Sequence, residues 1–363
     1  MSVETVVKPG KLDSLQWARA LAAVSVCLFH AAERTGKSVS APEFSRFFES
    51  GKLGVDLFFV ISGFIIFFVH FKDINNPGAS KRYLYRRFTR IYPLYWAIFI
   101  PITILYLITP GAGDGSERDI LSIVRCFFLL PNPYGQIIGV AWTLVFELSF
   151  YVAFLSLILS RKLGIILISI WVSLIFVRQL NFVNFGYFNA YLSVRYFEFA
   201  CGATVYFLFS RFQPKFPGLL ALSGVISLYG GGLFLLSHFA ESEKTIILFS
   251  GVSAAVAVFG FVSLDFAGEA RGVTGLIAAK LGDASYAIYL FHWIIGWVLG
   301  AVLLKLPFSF PAGMFFVILA LPMIIGGYLM HLVLERPLLR WMRKLEGSRK
   351  APQSADVQRL SLN

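Results

Sequence analysis

Arg19 and His30 lie eleven residues apart in the first apolar stretch of the chain, which runs from Leu15 to His30. On a helix that spacing is about three turns, so both side chains share one stripe, roughly 16 Å apart along the axis. An ionisable residue inside a membrane span is costly and faces a polar interior. The stripe therefore describes a polar path with a guanidinium near one end and an imidazole near the other. A guanidinium holds anionic oxygens, and a neutral imidazole takes a proton from a hydroxyl near neutral pH.

Other ionisable residues interrupt apolar stretches further along. Asp56 stands three residues into the second, at nearly the depth of His30. A carboxylate there accepts from one ring nitrogen and fixes the tautomer; pairing with Arg34 or Lys52 is the structural alternative. Glu147 sits between Phe146 and Leu148 and needs a cationic or hydroxyl partner. It competes with Asp56 for His30, pairs with Arg19 or holds an acceptor. Arg195 and Glu198 are spaced i, i+3 and can pair with each other. His292 is mid-span beside Trp293, with Ser285 and Tyr289 near the same face. His70, His238 and His331 fall near span ends and are expected to pack or to sit at the interface. Arg86, Arg87 and Arg90 follow Lys81 and Arg82 just before the third stretch. Arg87 and Arg90 are one helical turn apart, and guanidinium forks suit phosphate oxygens.

The frame for these residues is a membrane bundle. The chain of 363 residues is 57% hydrophobic and 14% charged, where a soluble domain is about 25% charged. The mean hydropathy is +0.73. Spans need roughly 20 apolar residues. Ten are predicted, at 14–32, 53–71, 91–109, 139–160, 163–180, 191–210, 218–238, 245–264, 283–304 and 312–334. The fourth and fifth, parted by Arg161 and Lys162, should form a tight antiparallel pair. The segments that would lie inside hold 21 of the 32 Lys and Arg, and the outer side holds nine, counting Arg178 at the outer end of the fifth span. That asymmetry places both termini in the cytoplasm. It also explains most of the net charge of +12 without nucleic acid as a partner.

The apolar piece Ile120–Leu130 is too short to span and is expected in the interface or re-entering the bundle. The Gly230-Gly231-Gly232 run reads as a bending or close-packing point. Arg19 and the lack of a clear small-residue cleavage site argue against a removable leader. Three scattered cysteines form no metal spacing or disulfide framework. The domain reading is a cytoplasmic N-terminus at 1–13, a membrane domain at 14–341 and a disordered cytoplasmic tail at 342–363.

An Arg, ten residues and a His in the first span resemble the hallmark of the membrane acyltransferase-3 family. So do Gly54-Val55-Asp56-Leu57-Phe58-Phe59-Val60-Ile61-Ser62-Gly63-Phe64, Arg86-Arg87-Phe88-Thr89-Arg90-Ile91-Tyr92-Pro93, and Trp142-Thr143-Leu144-Val145-Phe146-Glu147. Arg195-Tyr196-Phe197-Glu198 and Leu281-Gly282-Asp283-Ala284-Ser285-Tyr286 continue the pattern in family order, and the likeness runs from about residue 13 to 341. The chain looks most like bacterial exopolysaccharide O-acetyltransferases. The resemblance implies a multi-pass inner-membrane enzyme that moves an acyl group, most simply acetyl, from cytoplasmic acyl-CoA to a sugar hydroxyl. Acetyl-CoA or another acyl-CoA would be a donor substrate, with no permanently bound cofactor or metal. The acceptor would be a polysaccharide or lipid-linked sugar, with membrane lipids and polysaccharide-assembly proteins as further partners. The implied catalytic set is His30, Arg19, Asp56 and Glu147; Arg86, Arg87 and Arg90 would hold the donor; Arg195, Glu198 and His292 would meet substrate. Direct transfer and an acyl-histidine intermediate are both open. The rival class is a transporter or flippase, since a polar path through a bundle also describes a permease; the absence of repeated halves argues against it.

Overall fold

The computed structural model describes residues 12–109, 111, 113–180, 184–239, 242–267, 273–307 and 309–348. These form helices and turns, with no strand among the described residues. The helices are α1 Asp13–Ser38, α2 Pro42–Phe47, α3 Gly54–His70, α4 Ser80–Ile108, α5 Ile120–Phe127, α6 Trp142–Leu159, α7 Arg161–Gln179 and α8 Tyr196–Phe209. They continue as α9 Pro217–Ile226, α10 Gly232–His238, α11 Glu243–Ala267, α12 Val273–Asp283, α13 Ser285–Leu303, α14 Ala312–Met330 and α15 Arg336–Ser348.

Nine helical segments among the described residues are long and apolar enough to cross a membrane. The predicted sixth span is the exception in length. Its first residues wind as a 3-10 turn over Gly186–Leu192, Ser193 is extended, and α8 keeps 14 residues. That is roughly 21 Å of helix. It still runs beside α3 through most of the bundle, from the Arg195–Asp56 ion pair to the Phe64–Phe209 ring contact. Glycines permit this closeness. A Cβ on Gly63 would strike the Phe199 carbonyl, and one on Gly202 the Val60 carbonyl. Nine candidate spans with the shorter α8 packed among them make the all-α polytopic bundle expected from the sequence.

Ser160 ends α6, accepts from the Leu163 N–H and starts α7, which folds back on α6 as the tight pair. Helix α7 turns Ile166, Val172 and Phe176 outward, a surface that only lipid or another apolar partner suits. The Gly230-Gly231-Gly232 run falls at a π-helical turn between α9 and α10, where Gly231 packs on Phe249. Helix α5 buries Ser122 and Cys126 and exposes Ile120, Leu121 and Val124, which fits the interfacial reading. Helix α4 begins well before residue 91, so Arg86, Arg87 and Arg90 stand on its first turns rather than in a loop. Helix α15 continues to Ser348, past the boundary at 341, so residues 342–348 are helical; 349–363 and 1–11 lie outside the described residues.

One end of the bundle, the basic end, gathers the starts of α1 and α4 and helix α15. Ser14 bonds Asp265 at the end of α11, and the Tyr85 hydroxyl donates to the Met342 carbonyl at 2.8 Å. His30, Asp56 and Trp293 lie toward the opposite end.

Candidate active site

Two cavities occupy the bundle axis. The first, about 290 Å³, lies nearer the basic end and is lined by Arg19, Arg87, Arg90, Ser62, Glu147 and Ser285 among others. Three guanidiniums face it against one carboxylate, so it favours an anion. The second, about 580 Å³, lies toward the opposite end and is lined by His30, Asp56, Lys52, Trp142, Arg195 and Trp293 among others. Val55 and Tyr289 line both. The Tyr289 ring meets Phe58 edge-on at 5.8 Å, and its hydroxyl lies 3.1 Å from Thr143 Oγ1 and from the Val140 carbonyl oxygen. The boundary between the cavities is therefore an aromatic constriction.

Each inward arginine is braced. Arg87 donates to His70 Nε2 at 3.1 Å, and His70 Nδ1 lies 2.8 Å from Asp73. Since Nε2 accepts, the proton of a neutral His70 sits on Nδ1 and is donated to Asp73. The Arg87 guanidinium also lies over the Tyr83 and Tyr151 rings. Arg90 lies over Tyr286 and 3.8 Å from Glu335, whose other oxygen is 2.6 Å from His331 Nδ1. His70 and His331, expected only to pack, thus hold the arginine pair from behind. The spacings His70–Asp73 and His331–Glu335 were readable as helical pairs; their arginine partner was not. Arg86 is exposed and outside the cavity lining. Arg19 reaches back to Gln16 Oε1 at 3.3 Å.

Glu147 accepts from the Tyr151 hydroxyl and from Ser62 Oγ at 3.4 Å. It faces the same cavity as Arg19, while His30 lies in the other cavity. The contest with Asp56 for His30 does not arise.

Asp56 is buried and takes partners other than His30. It accepts from Ser250 Oγ at 2.8 Å and lies 3.6 Å from Arg195. The reason is the close packing of α3 on α8 and α11, which turns Asp56 toward those helices. The carboxylate beside His30 is Glu33, one turn along α1, at 3.4 Å. Arg195 does not form the expected pair with Glu198. It bridges Asp56 and Glu243, at 3.6 and 3.2 Å, and lies over the Trp142 ring. Glu198 is fully buried beside them, and neither carboxylate oxygen has a hydrogen-bond partner.

His292 is fully buried and joins His30, with ring centroids 5.2 Å apart. Its Nδ1 is 3.2 Å from the Ile288 carbonyl, and its Nε2 has no partner. Tyr289, expected near its face, meets it with ring centroids 5.7 Å apart, whereas Ser285 lines the arginine cavity. Among the described residues, no group of three or more His, Cys, Asp or Glu is placed to hold a metal ion.

A multi-pass helical bundle with a guanidinium cavity and an imidazole cavity meeting on its axis defines a membrane protein built around a buried polar site. The family model of the acyltransferase domain matches residues 12–332. The chain belongs to the membrane acyltransferase-3 family. It is 30% identical over 327 residues to the exopolysaccharide production protein ExoZ of Rhizobium meliloti, covering 86% of this chain and 94% of that one. It is 24% identical to the acyltransferase MdmB of Streptomyces mycarofaciens, over 96% of both chains. It is 25% identical to the peptidoglycan O-acetyltransferase OatA of Listeria monocytogenes, over 78% of this chain and 49% of that relative, about half its length. No solved structure matches.

Proposed function

We propose that the protein transfers an acyl group, acetyl in the simplest case, from cytoplasmic acyl-CoA to a sugar hydroxyl of an exopolysaccharide or its lipid-linked precursor. The observation that carries this is the meeting of an anion-favouring cavity and a histidine-lined cavity at Val55 and Tyr289. The basic end is taken as cytoplasmic, in keeping with the Lys and Arg asymmetry. The phosphates of the donor rest at Arg87 and Arg90. The smaller cavity is at the low end of ligand-site volumes, so it takes the pantetheine arm past Arg19 rather than the whole nucleotide. The thioester passes Tyr289 and reaches His30.

There the acceptor hydroxyl attacks. His30 takes its proton as the new C–O bond forms, the C–S bond breaks, and the imidazolium returns the proton to the departing thiolate. Arg195, across the same cavity, is the candidate donor to the oxyanion. The names of the relatives ExoZ and OatA support a polysaccharide acceptor. The test is purified protein in sealed vesicles of bacterial lipid, with labelled acetyl-CoA on one side and polysaccharide on the other. Labelled polysaccharide is expected, and none with His30→Ala. Flux of sugar or acid without acyl transfer would instead establish a permease. Label retained on the protein without acceptor, and lost in His30→Ala, would identify an acyl-histidine.

A further inference from the structure

A second pocket adjoins the histidine cavity. Trp293 and Gly139 line that cavity and also a separate pocket of about 280 Å³ at the same end of the bundle. Trp297, Tyr134, Asn132 and Gln136 also line it. Trp293 and Trp297 are i, i+4 on α13 and present two indoles on one helix face, one turn apart. Gly139 packs directly on the Trp293 indole: a Cβ there would stand 3.0 Å from the ring, so the absent side chain fixes the ring's position. Gln136 donates its amide to the Leu130 carbonyl at 2.8 Å, which holds the side chain still. Its Oε1 is buried without a partner. Asp114 and Glu117 complete the lining, each already anchored by a backbone N–H, from Ser116 at 2.9 Å and Gly115 at 3.1 Å.

We propose that this pocket binds one neutral pyranose ring of the acceptor and hands the neighbouring hydroxyl to His30. The inference rests on the acyl-transfer reading for its purpose, though not for its binding chemistry. A pyranose has apolar C–H faces that lie on indoles and equatorial hydroxyls that need acceptors. The pocket offers both. Its volume suits a single ring. Its charged groups are carboxylates, and no Lys or Arg lines it among the described residues, so a uronate is repelled.

The test is binding to the detergent-purified full chain without acyl-CoA. The probes are cellotetraose, its dodecyl glycoside and tetragalacturonate. A neutral probe is expected to bind, and the uronate to bind at least tenfold more weakly. Trp297→Ala should weaken neutral binding about tenfold, as loss of a central aromatic anchor does, and should raise the acceptor KM by a similar factor. Trp297→Phe should restore most of both. Trp297 is half exposed, so its truncation leaves the core intact, and Trp341→Ala at the basic end is the control. Binding of the glycoside alone places the acceptor on a lipid, and binding of the free tetrasaccharide places it on a polymer; either supports the site. Tighter binding of the uronate, no binding of either neutral probe, or wild-type affinity in Trp297→Ala overturns it. Sugar binding without acyl transfer would leave this site standing and remove the proposed reaction. Acyl transfer with a KM indifferent to Trp297 would do the reverse.

Discussion

Replacing Arg195 with Ala separates two roles for the charges beside the histidine cavity. Asp56 is 3% exposed and Glu198 is 0% exposed, and Arg195 is the cation at Asp56. Removing one partner of a buried ion pair costs about 3–5 kcal/mol, because the remaining charge stays buried and uncompensated. Here the contact is long, 3.6 Å, and the second partner, Glu243, is largely exposed. An exposed pair contributes at most about 1 kcal/mol, so the low end, about 3 kcal/mol, applies. At about 2 °C per kcal/mol for a large chain, Arg195→Ala should melt roughly 6 °C below the parent. Fluorescence-detected size-exclusion chromatography of heated, solubilised protein measures this. Adding Asp56→Asn removes one stranded carboxylate and keeps an acceptor for Ser250, so the double variant should recover part of the loss. Glu243→Gln should shift the midpoint far less. An Arg195→Ala protein as stable as the parent refutes the reasoning, and so does a double variant less stable than the single. If Asp56→Asn alone removes acyl transfer at an unchanged midpoint, Asp56 serves His30 rather than Arg195.

Arg87→Ala or Arg90→Ala should weaken acyl-CoA binding by roughly one to two powers of ten, since hydrogen bonds to charged groups contribute about 1.5–3 kcal/mol each; calorimetry with acetyl-CoA checks this, and Lys should rescue only in part. His30→Ala should lower polysaccharide acylation by about 10²–10⁴-fold or more at normal expression and acyl-CoA affinity, while the exposed His238→Ala keeps its rate in the same assay. Glu33→Gln should cost no more than about fivefold in kcat, because a half-exposed pair at 3.4 Å contributes about 1 kcal/mol at most; a loss equal to that of His30→Ala would make Glu33 indispensable. Single cysteines at positions 114 and 78 should label from opposite sides of intact cells, 114 from outside; labelling of both from one side would reverse the donor assignment.

The bundle was legible because its signal is local. Apolar runs and helical spacing are read within one segment at a time. The polar stripe of Arg19 and His30 was legible for the same reason, and the structure puts its two ends in the two cavities. Pairing between helices was not legible. Asp56 finds Ser250 across 194 positions of chain, and Arg90 finds Glu335 at the far end of the sequence. Such partners depend on the rotation of each helix about its own axis, which hydropathy does not specify when a helix is apolar all round.

Helix α4 shows what does set that rotation. The basic run from Lys81 to Arg90 carries a topology signal and a site in one stretch, and only the helix face distinguishes them. Lys81, Arg82 and Arg86 are exposed, while Arg87, about 100° around the helix from Arg86, lines the cavity with Arg90. The face is fixed one to two turns further on. The Tyr92, Tyr95 and Trp96 side chains donate to the Phe128, Cys126 and Phe127 carbonyls, and Trp96 stacks on Phe127. These three bonds tie α4 to the carbonyls at the C-terminal end of α5. With that end clamped, the arginines one to two turns below have a single direction in which to point. The Arg87–His70 and Arg90–Glu335 contacts then hold the side chains where the helix has aimed them. The aromatic residues that follow the arginines are therefore part of the guanidinium cavity's construction, although none of the three bonds involves an arginine.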